Sequence, residues 1–354
     1  MAYTEIDKSS DYFNTVLYTG NDTDNRTVSG VGFQPNFLWI KARNNADQHY
    51  LVDSVRGSTK VLHSDSTEAE ATRVSAVKSF ASDGFVLGQE AQVNGNNNTY
   101  VSWNWKAGTS VSGNTGGSGT SKSYSGSVNT DSGFSIIKYI GNSTAGHTIP
   151  HHLGVQPQVV ICKRINQGGQ WVFGSMALPN QFEQFLELDL TGAAQTSSLR
   201  WNDTDPSSSV FTLGSTLDTN ANDINIIAYS FAEKKGFSKF GSYTGNGSTD
   251  GPFVYTGFKP AFVICKSYSG SEQWVLYDNK RDPFNVTEQI LRPNLSDAEG
   301  TESGAKMDLL SNGFKLTGSG GGIGQTNNSG SSYIYMAFAE NPFVSSTGIP
   351  GPAR

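Results

Sequence analysis

The sequence predicts an all-β chain of three tandem antiparallel β-sandwiches with few, short helices. Three observations carry that expectation. A ten-residue stretch is written three times, strand-like runs recur between polar turns at intervals of about 8–12 residues, and the composition is that of turns and strands. Of 354 residues, 40 are glycine and only 16% are charged. The repeated stretch runs Gly32-Phe33-Gln34-Pro35-Asn36-Phe37-Leu38-Trp39-Ile40-Lys41 in copy one, Gly154 to Lys163 in copy two and Gly257 to Lys266 in copy three. Its glycines lie 122 and 103 residues apart, the spacing of a domain-sized repeat.

The run after each proline reads as a strand. Proline can open a strand but cannot donate within a central one. The residues that follow are apolar without alternation, which fits a strand covered on both faces. Lys41, Lys163 and Lys266 then read as solvated strand ends. Cys162 and Cys265 hold equivalent positions in two copies and read as small core hydrophobes, since a disulfide needs Cα atoms within about 7 Å.

Residues 1–10 form a lead-in, and the first sandwich is expected over 11–107. It opens at Asp11-Tyr12-Phe13 and ends its first strand at Gly20-Asn21, a turn signal that recurs at Gly141-Asn142 and Gly245-Asn246. A second aromatic segment follows each central strand, at Tyr50 to Asp53, Trp171 to Phe173 and Trp274 to Asp278. The copies then keep register from Leu62 to Ala69, Leu186 to Ala193 and Leu291 to Ala298. A turn and strand come next, marked by Asp83-Gly84 and Asn312-Gly313. The last strand alternates, with Val101, Trp103 and Trp105 on one face, matched by Ile227, Tyr229 and Phe231 and by Ile334, Met336 and Phe338. Ser102, Asn104 and Ser230 fall on the other face, the pattern of a strand with one buried side. Thr67 to Ala76 and Val286 to Leu291 are the best helix candidates.

Residues 108–130 are almost entirely Gly, Ser, Thr and Asn and read as a flexible linker or extended arm. The second sandwich is expected over 131–234 and the third over 235–342, packed rigidly because Glu233-Lys234-Lys235 is a short joint. Residues 343–354 read as an extended tail.

Several function classes fall away. Net charge is −6 with no basic run, so nucleic acid is not an expected partner. No apolar run approaches the ~20 residues of a membrane span, and the N-terminus lacks the apolar core of a signal peptide. His147, His151 and His152 cluster without a Cys or acidic partner and read as a turn rather than a metal site. The glycine-rich residues 318–324 lack the lysine and helix of a phosphate loop and read as a plain loop. No nucleophile elbow is present, and no cofactor, metal or catalytic residue is assigned. Asp53 with Arg56 and Asp278 with Arg281 repeat a three-residue offset, which Gly174 and Ala177 break in copy two. Each pair reads as an exposed loop brace, worth ~0–1 kcal/mol, or as a ligand contact. The loops Asn94 to Asn98, Asp218 to Asn222 and Gln325 to Ser332 occupy one place in each copy. Their amides, at Asn96, Asn97, Asn98, Asn220, Asn222, Asn327 and Asn328, suit sugar hydroxyls or are solvated turns.

The strings SGSVNTDSGFSIIKYIGN and HHLGVQPQVVICKR resemble a repeated module of tailed-bacteriophage virion proteins, the marine and cyanophage type. GFKPAFVICK, WVLYDNKRDPFN, YIYMAFAENPF and the ending TGIPGPAR are similar to the same module. The resemblance implies a lectin-like or jelly-roll-like sandwich, a place on the virion and partners among other virion proteins. It carries over no active-site residue. The expected function is a tail fibre or receptor-binding adhesin that recognises host-surface glycan. By analogy with fibres a homotrimer is expected, made in the host cytoplasm, and the three tandem sandwiches of each chain would make a rod-like or compact distal segment. The alternatives are a capsid decoration or tail-assembly protein and a polysaccharide depolymerase, whose paired carboxylates would include Asp53, Asp278 or Glu272.

Overall fold

The computed structural model describes residues 4–319, 326–342, 344 and 347–349. Most of the 318–324 loop, the first residue of the 325–332 loop and most of the 343–354 tail therefore lie outside the described residues. Four principal strands recur in each copy. The opening strands are Phe13–Thr19, Phe134–Ile140 and Ser238–Thr244, and the central strands are Phe37–Ala42, Val159–Arg164 and Phe258–Ser267. The return strands are Tyr50–Asp53, Val172–Ser175 and Val275–Asp278, and the closing strands are Thr99–Trp105, Asn225–Phe231 and Ser332–Pro342. In all three copies they pair antiparallel in the order opening, closing, central, return. The repeat glycines Gly32, Gly154 and Gly257 enter the central strand at φ of +88°, +72° and +83°, a left-handed turn that glycine adopts without a Cβ clash.

A three-stranded sheet covers the outer face of each principal sheet. Copy one uses Arg26–Ser29, Val77–Ala81 and Gly84–Leu87, and copy three uses Phe253–Tyr255, Met307–Leu310 and Gly313–Leu316. Copy two uses Gly116–Gly117, His147–Pro150 and Val210–Leu213. The chain is all-β, as expected, and each copy is a two-sheet sandwich. Its strands serve two cores at once. Leu38 and Ile40 face the copy's own core, whereas Phe37 and Trp39 face a core that all three copies share. Val160 and Cys162 against Val159 and Ile161, and Val263 and Cys265 against Phe262 and Ile264, divide the same way. This explains the apolar run without alternation.

The shared core also takes the alternating face of every closing strand. The opposite face was expected to meet solvent, yet Ser102, Asn104 and Ser230 are fully buried beneath the small sheets. Rings from different copies interlock in the shared core, with Phe37 and Tyr229 centroids 4.6 Å apart, Phe13 and Phe338 5.2 Å, and Trp105 and Phe262 5.6 Å. The three copies thus close around a pseudo-threefold axis and do not form a rod.

Each seam between copies uses the same parts. Trp171 Nε1 donates to His63 O at 2.8 Å, and Trp274 Nε1 donates to Glu187 O at 3.0 Å. His49 takes the tryptophan's place at the third seam, with Nε2 3.0 Å from Arg292 O while its Nδ1 lies 2.8 Å from Trp39 Nε1. Backbone bonds repeat the cycle, from Glu70 N to Ile165 O, Ala194 N to Tyr268 O and Glu299 N to Arg43 O, at 2.7, 2.9 and 2.7 Å. The last seam joins copy three back to copy one. The helix candidates 67–76 and 286–291 are spent here on extended contacts and short strands, Ala71–Thr72 and Gln289–Ile290. The α-helices among the described residues are Ala91–Asn94, Ser198–Trp201 and Leu217–Asn220.

Two further expectations change. Lys41, Lys163 and Lys266 are buried, not solvated. Their ammonium groups donate to carbonyls, Lys41 to Ala42 and Asn45, Lys163 to Ser66 and Gly169, and Lys266 to Thr191 and Ser267. Lys163 and Lys266 thereby reach across into the preceding copy. Residues 108–130 are not a flexible linker. Thr109–Asn114 and Ser123–Asn129 form a hairpin whose second strand pairs with Phe134–Ile140, and with Gln184–Glu187 and Gln195–Thr196 at the opposite edge the copy-two sheet has eight strands. Tyr124 and Val128 anchor it in the copy-two core. Cys162 and Cys265 lie in separate cores as free thiols, as the sequence suggested.

Candidate functional site

The Asp–Arg pairs are internal. Asp53 and Arg56, and Asp278 and Arg281, have side chains at most 1% exposed, with Asp Oδ2 to Arg Nε at 2.5 Å in both. The exposed-brace reading is therefore corrected. Each carboxylate also accepts two backbone N–H groups through Oδ1, from Val55 and Arg56 and from Lys280 and Arg281. Each then receives a donor from another copy. Tyr229 OH donates to Asp53 at 2.7 Å, and Trp103 Nε1 donates to Asp278 at 3.1 Å. The guanidinium groups reach Glu70 and Glu299.

Strand register puts Ser175, not Gly174, at the matching site of copy two, opposite Val159 as Asp53 is opposite Phe37. Three residues on stands Leu178, and the closing-strand position equivalent to Trp103 and Tyr229 is Met336, which has no N–H or O–H to give. The ion pair and its donor are absent together, because a buried carboxylate without donors is costly. Asp53 and Asp278 lie in different seams, so they do not converge in one cleft as a depolymerase requires. Glu272 is half-buried and accepts from Asn328 Nδ2 at 3.2 Å.

The asparagine loops divide into two kinds. Asn220 and Asn327 are fully buried, as is their counterpart Asn94. Each side-chain carbonyl accepts the backbone N–H that follows the opening strand, at Asn21, Asn142 and Asn246. Each amide donates to Gly88, Gly214 or Gly318. These are loop staples, closed to a ligand. Asn96, Asn97 and Asn222 are exposed, and Asn98 and Asn328 are half-buried. His147, read as part of a turn, is in a strand and fully buried, bonded to Asn220 and Thr115 at 2.9 and 2.6 Å. Among the described residues no His, Cys, Asp and Glu cluster could hold a metal.

Two open clefts lie at the other end of the closing strands. In copy three a cleft of about 480 Å³ is lined by Lys259, Asn279, Lys280, Asp282, Phe284 and Thr287, among others. A cleft of about 520 Å³ in copy one includes Gln34, Asn36, Ser54 and Val55 in its lining. Gln34 and Lys259 both stand three residues before the first central-strand residue that pairs with the return strand, Phe37 or Phe262, and Ser54 and Asn279 both follow the return strand. The two clefts therefore share one corner of the repeat, and in copy one the rest of the wall is the hairpin, from Gly108 to Ser112 and Ser125 to Ser127. In copy two the equivalent Gln156 donates to Pro206 O at 2.7 Å.

The copy-three cleft carries the more chemistry. Phe284 is 81% exposed on its rim. Its loop is braced: Asn285 exchanges two bonds with the Leu309 backbone at 2.9 and 3.1 Å, and Asp282 accepts from Glu288 N at 2.7 Å. Asn279 Oδ1 and Thr287 Oγ1 are buried without a hydrogen-bond partner. None of these residues was named as a site residue from the sequence. The available signal was length, since the chain from Asp278 to Leu291 is four residues longer than from Asp53 to Leu62.

Residues 8–342 match the family model described as Domain of unknown function (DUF7483), one model spanning all three copies. No curated protein and no solved structure matches the chain.

Proposed function

We propose that this chain, which belongs to the DUF7483 family, is a carbohydrate-binding attachment protein of a tailed-phage particle, its copies presenting glycan sites from a rigid ring. The observation that carries the reading is the copy-three cleft, where an exposed aromatic ring on a braced loop stands beside two buried, unpartnered polar atoms. Sugars bind proteins through that pairing, with C–H faces on an aromatic ring and hydroxyls on fixed polar groups. A related cleft in copy one gives a second site, so weak single sites can act through avidity. The virion setting rests on the sequence resemblance.

The test is a glycan array probed with the intact chain and with Phe284→Ala. Binding by the first and weaker binding by the second are expected. A folded chain that binds no glycan contradicts the reading. Immunogold labelling of particles separates an adhesin, with label at the tail tip or fibres, from a decoration protein, with label over the head.

A further inference from the structure

We propose that the copy-three cleft selects a carboxylated sugar, a uronic-acid unit of a surface polysaccharide. The proposal rests on the glycan reading above and names its ligand class. The charges lining the cleft are unequally engaged. Lys259 is paired with Glu340 at 2.8 Å. Asp282 Oδ2 accepts the N–H groups of Glu288 and Gln289 at 2.7 and 3.2 Å. Lys280 is exposed and, among the described residues, no carboxylate lies within 4.0 Å of its ammonium group. Of the two lysines lining the cleft, Lys280 is the one without a carboxylate partner, while the charge of Asp282 is held by two backbone N–H groups.

The remaining groups match the rest of such a ligand. A hexose ring lies on Phe284, whose large exposure in a braced loop leaves its face open. Asn279 Oδ1 can accept from one hydroxyl, and Thr287 Oγ1 can donate to or accept from another. A carboxylate on the same sugar then reaches Lys280, a charge-assisted contact stronger than a neutral one. Copy one supplies an internal comparison. Val55 stands at the place of Lys280, and its cleft is lined by uncharged residues throughout. The preference for acid therefore belongs to copy three alone.

The experiment is calorimetric titration of the intact chain with a panel of uronic-acid oligosaccharides and with the same panel after reduction of the carboxyls. At least one acidic sugar is expected to bind about tenfold or more tighter than its reduced form, with the difference shrinking at high salt. Lys280→Met should remove the difference between the acidic and the reduced sugars, whereas Phe284→Ala should weaken binding of both. Equal affinity for the two forms, or a preference that survives in Lys280→Met, overturns the acid selectivity and leaves the glycan reading standing. No binding of any sugar overturns both.

Discussion

Asp278 and Arg281 lie at most 1% exposed in the seam between copies three and one, where a broken ion pair cannot be rescued by water. Arg281→Leu leaves a buried carboxylate without its cation, and a loss of ~3–5 kcal/mol is expected in urea unfolding. Adding Asp278→Ser copies the Ser175 and Leu178 of copy two and should recover at least half of that loss. A double variant no more stable than the single one contradicts the argument. The three-residue offset of these pairs was legible in the sequence, but their burial was not. Polar residues look exposed until the face that covers them is known, and here that face belongs to a different copy. The three lysines hid for the same reason. Their ammonium groups turn back onto carbonyls close in sequence, and Lys163 and Lys266 add Ser66 and Thr191 of the preceding copy. At the surface, Phe284→Ala removes an exposed side chain and should leave stability nearly unchanged while weakening glycan binding. A large fall in stability would mean that the ring is structural.

The hairpin of residues 109–129 shows where composition misleads. Glycine and serine cannot fill a core, yet a sheet edge needs backbone more than side chains, and small residues pair there freely. Gly126 is held where a Cβ would lie 2.4 Å from Ile136 O and 2.5 Å from Ile137 Cδ1. Gly126→Val should therefore lift the hairpin off the Phe134–Ile140 strand. Amide hydrogen exchange would show lost protection over 109–129, with the closing strands of copies one and three unchanged. Full protection of the hairpin in the variant contradicts the pairing. The four principal strands, by contrast, were readable throughout, because apolar runs and Gly-Asn turns report local structure. Their double service to two cores followed from the apolar run without alternation in the central strand. The closing strand concealed it, since its second face carries Ser102, Asn104 and Ser230.

At the scale of the molecule, one shared core and three seams make a single cooperative unit. Each seam region holds a buried lysine that desolvation lowers from 10.5 to about 8. Between those values the unfolded chain holds more protons than the folded one, so stability rises with pH from about 8 towards 10.5. The two buried thiols act oppositely, pushed from 9.0 up to about 12, and lower stability as pH climbs past 9. A rise in unfolding free energy between pH 8 and 9 is expected, and a shallower rise in Lys41→Met would assign that lysine's share, with Lys163 and Lys266 supplying the rest. A flat profile there contradicts the burial of the ammonium groups. Nothing in the local sequence announces the ring, because each copy reads as a complete sandwich and the repeat spacing is the same for beads in a row. Solution X-ray scattering of the intact chain tests the closure most directly. A closed ring of this length has a radius of gyration of about 20 Å. Three sandwiches in a row, each about 13 Å in radius of gyration, would give about 27 Å and a long tail in the distance distribution, and that result would contradict the shared core.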